Sequence, residues 1–326
     1  MLKGLVPAPP EDGPFSFPRL VPGLSCPRLR RKRILAHMTV VSSAQVLSPA
    51  RPREHIIDTL IVERAPKLAA TPLWPLLRPV LYRLLDYDKA RRMADAIAPM
   101  PGRAALEHVS QMLALQVSAR GLGRVPPKGR LIVVCNHPTG IADGVAVYDA
   151  LKAIRPDLCF YANSDAHRVA PRLEEVLIPV EWVEAKRTRE RTRLTLQRTH
   201  EALQAERCLV IFPAGRLARR GPEGLRDMPW AATAVSIARR SGTPVLPLHV
   251  SGPWSALFHF FNGFSAELRD VTLFHELLNK HGRRFELVAG PLIAPEALTG
   301  EAAEVAGRLK TYVERALPPT PDQAFG

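Results

Sequence analysis

The stretch Leu131-Ile132-Val133-Val134-Cys135-Asn136-His137-Pro138-Thr139-Gly140-Ile141-Ala142-Asp143-Gly144 decides how the rest of the chain is read. Its first five residues are apolar and rich in β-branched side chains, the mark of a short strand buried on both faces. Pro138 and Gly140 then impose a tight turn, and helical text begins near Gly144. A buried strand that passes through a polar turn into a helix is the first half of a parallel βαβ unit. The turn lies at the strand's carboxyl end, where open α/β sheets gather their ligands.

Working outward, CFYAN (159–163), VLIPV (176–180), CLVIF (208–212), PVLPLHV (244–250) and FELVAG (285–290) read as further buried strands. The segments 143–153, 188–206, 227–241 and 301–316 read as helices. This alternation predicts an α/β domain over 119–320, a mostly parallel central sheet flanked by helices. Residues 53–118 predict an N-terminal helical cap built from IIDTLIV, LWPLLRPVLYRLL and ALEHVSQMLAL. Within it Leu73, Trp74, Leu76, Leu77, Val80, Leu81 and Leu84 follow the spacing of an amphipathic helix. That face packs on the core, or it lies in a membrane interface with Arg78 and Arg83 near the lipid phosphates.

Residues 1–52 hold nine of the 32 prolines and the basic cluster Arg28, Arg30, Arg31, Lys32 and Arg33, without a periodic apolar face. They predict a disordered leader, and Met38 is an alternative start to Met1. The 326 residues are 46% hydrophobic, enough for a sizeable core, and the formal net charge of +14 favours anionic partners. Cys26, Cys135, Cys159 and Cys208 show no Cys-x-x-Cys spacing, so neither a disulfide frame nor a metal site is expected. No stretch of about 18 uncharged apolar residues occurs, and the expected membrane contact is peripheral.

Two constellations carry chemistry. A histidine such as His137, oriented by a carboxylate such as Asp143, can take the proton of an alcohol that attacks an acyl carbon. A His and an Asp in such a loop can equally serve only to start the helix. The second constellation, Phe212-Pro213-Ala214-Gly215-Arg216 with Arg219 and Arg220, also follows a strand, and its guanidinium groups suit a phosphate or carboxylate. The basic run Lys186–Arg193 offers Arg187 or Arg189 as a further anion contact, or simply a solvated helix start. Trp254, Leu257, Phe258, Phe260, Phe261 and Phe264 pack in the core, line an acyl channel or lie against lipid.

Taken together, Asn136-His137 with its spaced Asp143 and Phe212-Pro213-x-Gly215 with a following arginine resemble the lysophosphatidic acid and glycerolipid acyltransferase family over about residues 120–295. The resemblance implies His137 and Asp143 as the catalytic pair. It implies an acceptor site at Phe212, Pro213, Gly215 and Arg216 or Arg219, with Asn136, Gly140 and Arg187 as further substrate contacts. It implies an acyl-acyl carrier protein or acyl-CoA donor, no cofactor beyond that thioester, and a lysophospholipid, glycerol-phosphate or lyso-aminolipid acceptor. The enzyme would act from the cytoplasmic face of the inner membrane, against an anionic lipid surface. Five residues separate His137 from Asp143, where four are common, and Ala214 replaces the usual glutamate. Both features, with Asp227-Met228-Pro229-Trp230, are similar to the variant subgroup of bacterial hemolysin-like and ornithine-lipid acyltransferases.

Against this, a basic nucleic-acid-binding protein would explain the charge, but no helix-turn-helix, zinc-finger or aromatic RNA-binding signature is present. A serine hydrolase would need a Gly-x-Ser-x-Gly elbow, and the chain has none.

Overall fold

A computed structural model describes residues 54–181, 188–221 and 224–326. The leader 1–52, with Met38 and Cys26, and the segment holding Lys186 and Arg187 lie outside the described residues. Five helices come first: α1 (Ile56–Arg64), α2 (Pro66–Ala69), α3 (Trp74–Leu84), α4 (Tyr87–Ile97) and α5 (Gly102–Leu113). The strands are β1 (Gln116–Arg120), β2 (Leu131–Cys135), β3 (Cys159–Asn163), β4 (Leu177–Val180), β5 (Cys208–Ile211), β6 (Arg219–Gly221), β7 (Gly224–Arg226), β8 (Val245–Ser251) and β9 (Arg284–Ala289). Between and after them lie α6 (Ile141–Leu151), α7 (Asp165–Val169), α8 (Arg189–Gln204), α9 (Thr233–Ser241), α10 (Ala256–Asn262), α11 (Ala266–Val271), α12 (Leu273–Leu278) and α13 (Ala302–Thr311).

Among the described residues, seven strands form one sheet in the order β1-β9-β8-β2-β5-β3-β4. All neighbours are parallel except β8 and β9, so the sheet is mostly parallel, as expected. β2 is buried at every position and hydrogen-bonded on both sides, by β5 and by β8. Its alternate residues feed two cores. Leu131, Val133 and Cys135 pack with the cap helices and α6, whereas Ile132 and Val134 pack with α9 and α13.

Three elements differ from the sequence reading, the first being the helix expected over 227–241, which starts only at Thr233 and leaves Asp227–Trp230 in the preceding loop. Gln116–Arg120 is an edge strand parallel to β9, so the sheet begins inside the segment assigned to the helical cap. Arginines 219 and 220 are not in a free loop but in the antiparallel hairpin β6–β7.

The cap helices are held by a carboxylate. Asp58 of α1 is buried and accepts from Tyr82 Oη at 2.6 Å, Tyr87 Oη at 2.6 Å and Arg78 at 2.9 Å. Arg78 is therefore turned toward Asp58 and stacked over Tyr82, while Arg83 is exposed. The Glu267 carboxylate of α11 accepts the Lys67 and Leu68 amides at the start of α2 and ties that end of the cap to the core. The outer face of α3 stays uncovered: Leu76 is 72% and Val80 65% exposed.

Burial alone would raise the Asp58 carboxyl, but the two tyrosine hydroxyls and Arg78 outweigh it and hold it below its ordinary value of 3.8. Its stabilising effect is therefore present above about pH 4 and lost as pH falls through the lowered value. Urea unfolding should show Asp58→Asn less stable than wild type by about 1–3 kcal/mol at pH 7, with the gap closing toward about pH 3. A gap that stays constant across that range would remove the carboxylate's charge from the account.

Candidate active site

The loop after β2 and the loop after β5 emerge side by side at the carboxyl edge of the sheet, because the two strands are direct neighbours. The amide of Ala218 donates to the His137 carbonyl at 2.9 Å and fastens one loop to the other. Helix α6 starts at the end of the first loop, and Asp143 occupies its third position. The wholly buried Asp143 carboxylate accepts from the Gly140 amide at 3.0 Å, the Thr139 amide at 2.9 Å and the Thr139 hydroxyl at 2.6 Å. A carboxylate reaching back to the amide that precedes the helix is half of a capping box. Here the loop also needs a glycine: Gly140 has φ +104°, and a Cβ there would meet Leu217 at 3.1 Å.

The fourth donor to Asp143 is His137, with Nδ1 at 2.9 Å from Oδ2. A carboxylate can only accept, so Nδ1 carries the proton and Nε2 is left as the basic atom. Phe212, at the end of β5, packs on the imidazole with ring centroids 4.5 Å apart. The His137 amide donates to both oxygens of Asp227, at 3.0 and 3.2 Å. Asp227 also accepts from Trp230 Nε1 at 2.8 Å, and its own amide donates to Glu314 at 2.7 Å. Burial pushes the Asp227 carboxyl up to about 6 and the nearby Glu314 adds to the rise, against the Trp230 and His137 bonds.

Thr139 is braced from the far side. Its carbonyl accepts from the Ser255 hydroxyl at 3.2 Å, and Ser255 in turn takes a bond from the buried Lys280 ammonium at 3.3 Å. Lys280 is paired with Glu276 at 3.0 Å. Burial would raise the Glu276 carboxyl, but the Lys280 charge and the surrounding bonds leave it below its ordinary value. Cys135 is fully buried, and burial first, then the nearby Asp143, Cys208 and Asp227, lifts its thiol well above the ordinary range. It is not a nucleophile.

His137 opens onto an apolar cavity of about 340 Å³ that runs between cap and sheet. Leu60, Met93, Ile97 and Val109 of the cap form one side, Phe160 and Leu277 another, and Arg64 paired with Asp165 is one of its few charged walls. The structure brings His137, Phe212, Gly215 and Arg216 together around this cavity. Asn136, Gly140 and Pro213 stand behind it: the Asn136 amide is consumed by the Val250 backbone at 2.7 and 2.9 Å, and the Pro213 carbonyl accepts from Ala231. Arg219 points elsewhere, stacked over Phe258 and donating to Asn262 at 2.6 Å. Burial and the neighbouring Arg269 charge depress its guanidinium.

The aromatic segment does not line the cavity. Phe258 and Phe261 are buried, whereas Trp254, Phe260 and Phe264 face outward. The cavity walls drawn from the cap escaped the sequence reading, since each is an ordinary core residue in its own helix. The Glu314 contact had no sequence signal either. Among the described residues no cluster of three or more metal-ligating side chains occurs.

The Acyltransferase family model matches residues 116–251, which hold β1 through β8 and both loops. Two curated relatives, both named lyso-glycine lipid O-acyltransferase, are similar to the chain. The protein of Phocaeicola vulgatus is 26% identical over 195 residues, covering 57% of this chain and 67% of the relative. That of Bacteroides thetaiotaomicron is 25% identical over 154 residues, covering 47% and 55%. Among solved structures, the 1-acyl-sn-glycerophosphate (LPA) acyltransferase PlsC from Thermotoga maritima matches with a TM-score of 0.44 and 14% identity, over 82% of this chain and 98% of that one. With the Acyltransferase model seated on the two loops and both curated relatives named lyso-glycine lipid O-acyltransferase, residues 116–251 carry an acyltransferase-type domain, and the comparisons support an O-acyltransferase.

Proposed function

We propose that the enzyme moves a fatty acyl group from a thioester, acyl carrier protein or coenzyme A, to the hydroxyl of a lysolipid with an anionic headgroup. The observation that carries this reading is the His137–Asp143 pair at the mouth of an apolar cavity of about 340 Å³. The size is in the range of small-ligand sites, and the walls suit a hydrocarbon chain. With the chain inside, the thioester carbon sits beside His137. Nε2 takes the acceptor's proton as its oxygen attacks, and Asp143 stabilises the imidazolium that forms. The sulfur leaves as a thiolate with the electron pair of the broken C–S bond and takes the proton back from Nε2, which restores the neutral imidazole. Arg216, at the mouth, meets the acceptor's anionic group. The names of both curated relatives favour a lyso-aminolipid carboxylate as that group.

His137→Ala should lower acyl transfer by at least about 10²-fold with the fold retained. Asp143→Asn should be impaired as well, through lost charge at nearly constant shape. A folded His137→Ala protein with wild-type turnover would refute the mechanism. Arg216→Ala should raise the acceptor KM through a loss of about 1.5–3 kcal/mol, with kcat changed little. Arg219→Ala should have the smaller effect, because its guanidinium is already engaged by Asn262. The opposite order would move the anion site to the β6–β7 hairpin.

The same reading places the protein on the membrane surface, at the cytoplasmic face of the inner membrane. No described helix is long and apolar enough to cross a bilayer. The exposed stripe of α3, the outward Trp254, Phe260 and Phe264, and the basic surface support an interfacial contact with anionic lipid. Flotation with anionic vesicles should recover the wild type and lose much of a Leu76→Asp, Val80→Asp protein. Equal flotation of both would take α3 out of the contact.

A further inference from the structure

We infer that Asp227 is a positioning residue for the general base: it holds the backbone of His137 where Asp143 holds the ring. This inference rests on the acyltransferase reading given above. His137 leaves the sheet at the end of β2, so its amide has lost its ladder partner and must find another acceptor in the interior. A backbone carbonyl would satisfy it at little electrostatic expense. Instead the acceptor is a carboxylate that is itself almost wholly buried and held by only a few donors. Such a choice is unfavourable for stability unless the charge serves something else.

The geometry says what it serves. His137 is fixed at four places: its amide by Asp227, its carbonyl by the Ala218 amide, Nδ1 by Asp143 and its ring face by Phe212. Nε2 is the one polar atom left for chemistry. Asp227 cannot drift, because Trp230 Nε1 donates to Oδ2 and the Asp227 amide donates to Glu314. Glu314 belongs to the π-helical segment Tyr312–Ala316 that follows α13, and Lys310 Nζ lies 2.7 Å from its other oxygen. The neighbouring Val313 carbonyl takes a bond from His249 of β8, one residue before the Val250 that clamps Asn136. The C-terminal segment thus braces both residues of the Asn136-His137 pair from behind.

The titratable groups that face the Asp227 carboxylate are His137, Glu314 and the buried Cys135 thiol, and Glu314 is the like charge that makes its ionised form harder to keep. A folded-state carboxyl raised from the ordinary 3.8 to about 6 makes the folded protein progressively less stable as pH climbs between those two values, and the full penalty is present above about 6. Replacing the charge with an amide removes that penalty. Asp227→Asn should therefore change stability little at neutral pH, yet the single amide oxygen can no longer accept on both edges of the group. A shift of the base by a fraction of an ångström to one ångström lowers turnover by up to about 10²-fold.

The test compares Asp227→Asn and Asp227→Ala with Leu298→Ala, a buried position remote from the loop. Acyl transfer is measured with saturating thioester and lysolipid, alongside thermal melting and amide hydrogen exchange of residues 136–140. Expected are a fall in kcat of about tenfold or more in both Asp227 variants at an unchanged KM for donor and acceptor, and faster exchange at the His137 amide. Leu298→Ala should melt lower than Asp227→Asn and still keep its kcat and its exchange pattern. Wild-type kcat in the Asp227 variants, or a loss that merely follows melting temperature across all three proteins, would overturn the inference. If the wild type acylates no lysolipid, the acyltransferase reading fails on its own, and exchange at His137 then decides whether Asp227 holds that amide.

Discussion

A carboxylate with no solvent at all can stay charged only if donors surround it, and Asp143 is surrounded by four that come from the residues just before it in the chain. The arrangement dictates the path of the backbone. Thr139 must turn its hydroxyl inward, Gly140 must adopt a left-handed conformation, α6 must begin where it does, and the imidazole of His137 must face the acid. Remove the side chain and each of these loses the acceptor that holds it in place. The rigid sheet beneath supplies the other half of the constraint, because β2 is locked between two strands and delivers this loop to one fixed point.

From that point the remaining parts follow by adjacency. β5 runs beside β2, so the Phe212–Arg216 turn meets the histidine loop without any long connection. The cap packs on the sheet face that carries Leu131, Val133 and Cys135, and the cavity is the volume that this packing leaves open. Polar bracing is confined to the back of the loop, through Asp227 on one side and Ser255 with Lys280 on the other.

The sheet was legible because strands covered on both faces are written as unbroken apolar runs, and LIVVC and CFYAN appear in the structure with the limits read from sequence. Gln116–Arg120 escaped because an edge strand needs only half of its residues to be apolar, and Val117 and Ala119 make a weak alternation. The β6–β7 hairpin escaped because it has almost no apolar side chains, although glycines at 221 and 224 mark its turn. In the site the contrast is one of distance along the chain. His137 and Asp143 lie six residues apart and read as one motif, whereas Glu314 meets Asp227 across 87 residues. The cavity was illegible for the same reason, being enclosed by segments that each read as plain core.

Leu60, Met93 and Ile97 have two duties, since the methyl groups that hold the cap on the sheet are also the surface of the cavity. Trimming any of them enlarges the cavity and removes about 2–5 kcal/mol of packing in the same stroke. Under the proposed reading, preference for a longer acyl chain and resistance to heat are thus antagonistic traits encoded at shared positions. A lineage that remodels its lipids cannot drift through these sites one substitution at a time. It must acquire compensating exchanges elsewhere in the cap, so the history of its lipid preference should be recorded as correlated replacements among helices that never touch the reacting atoms.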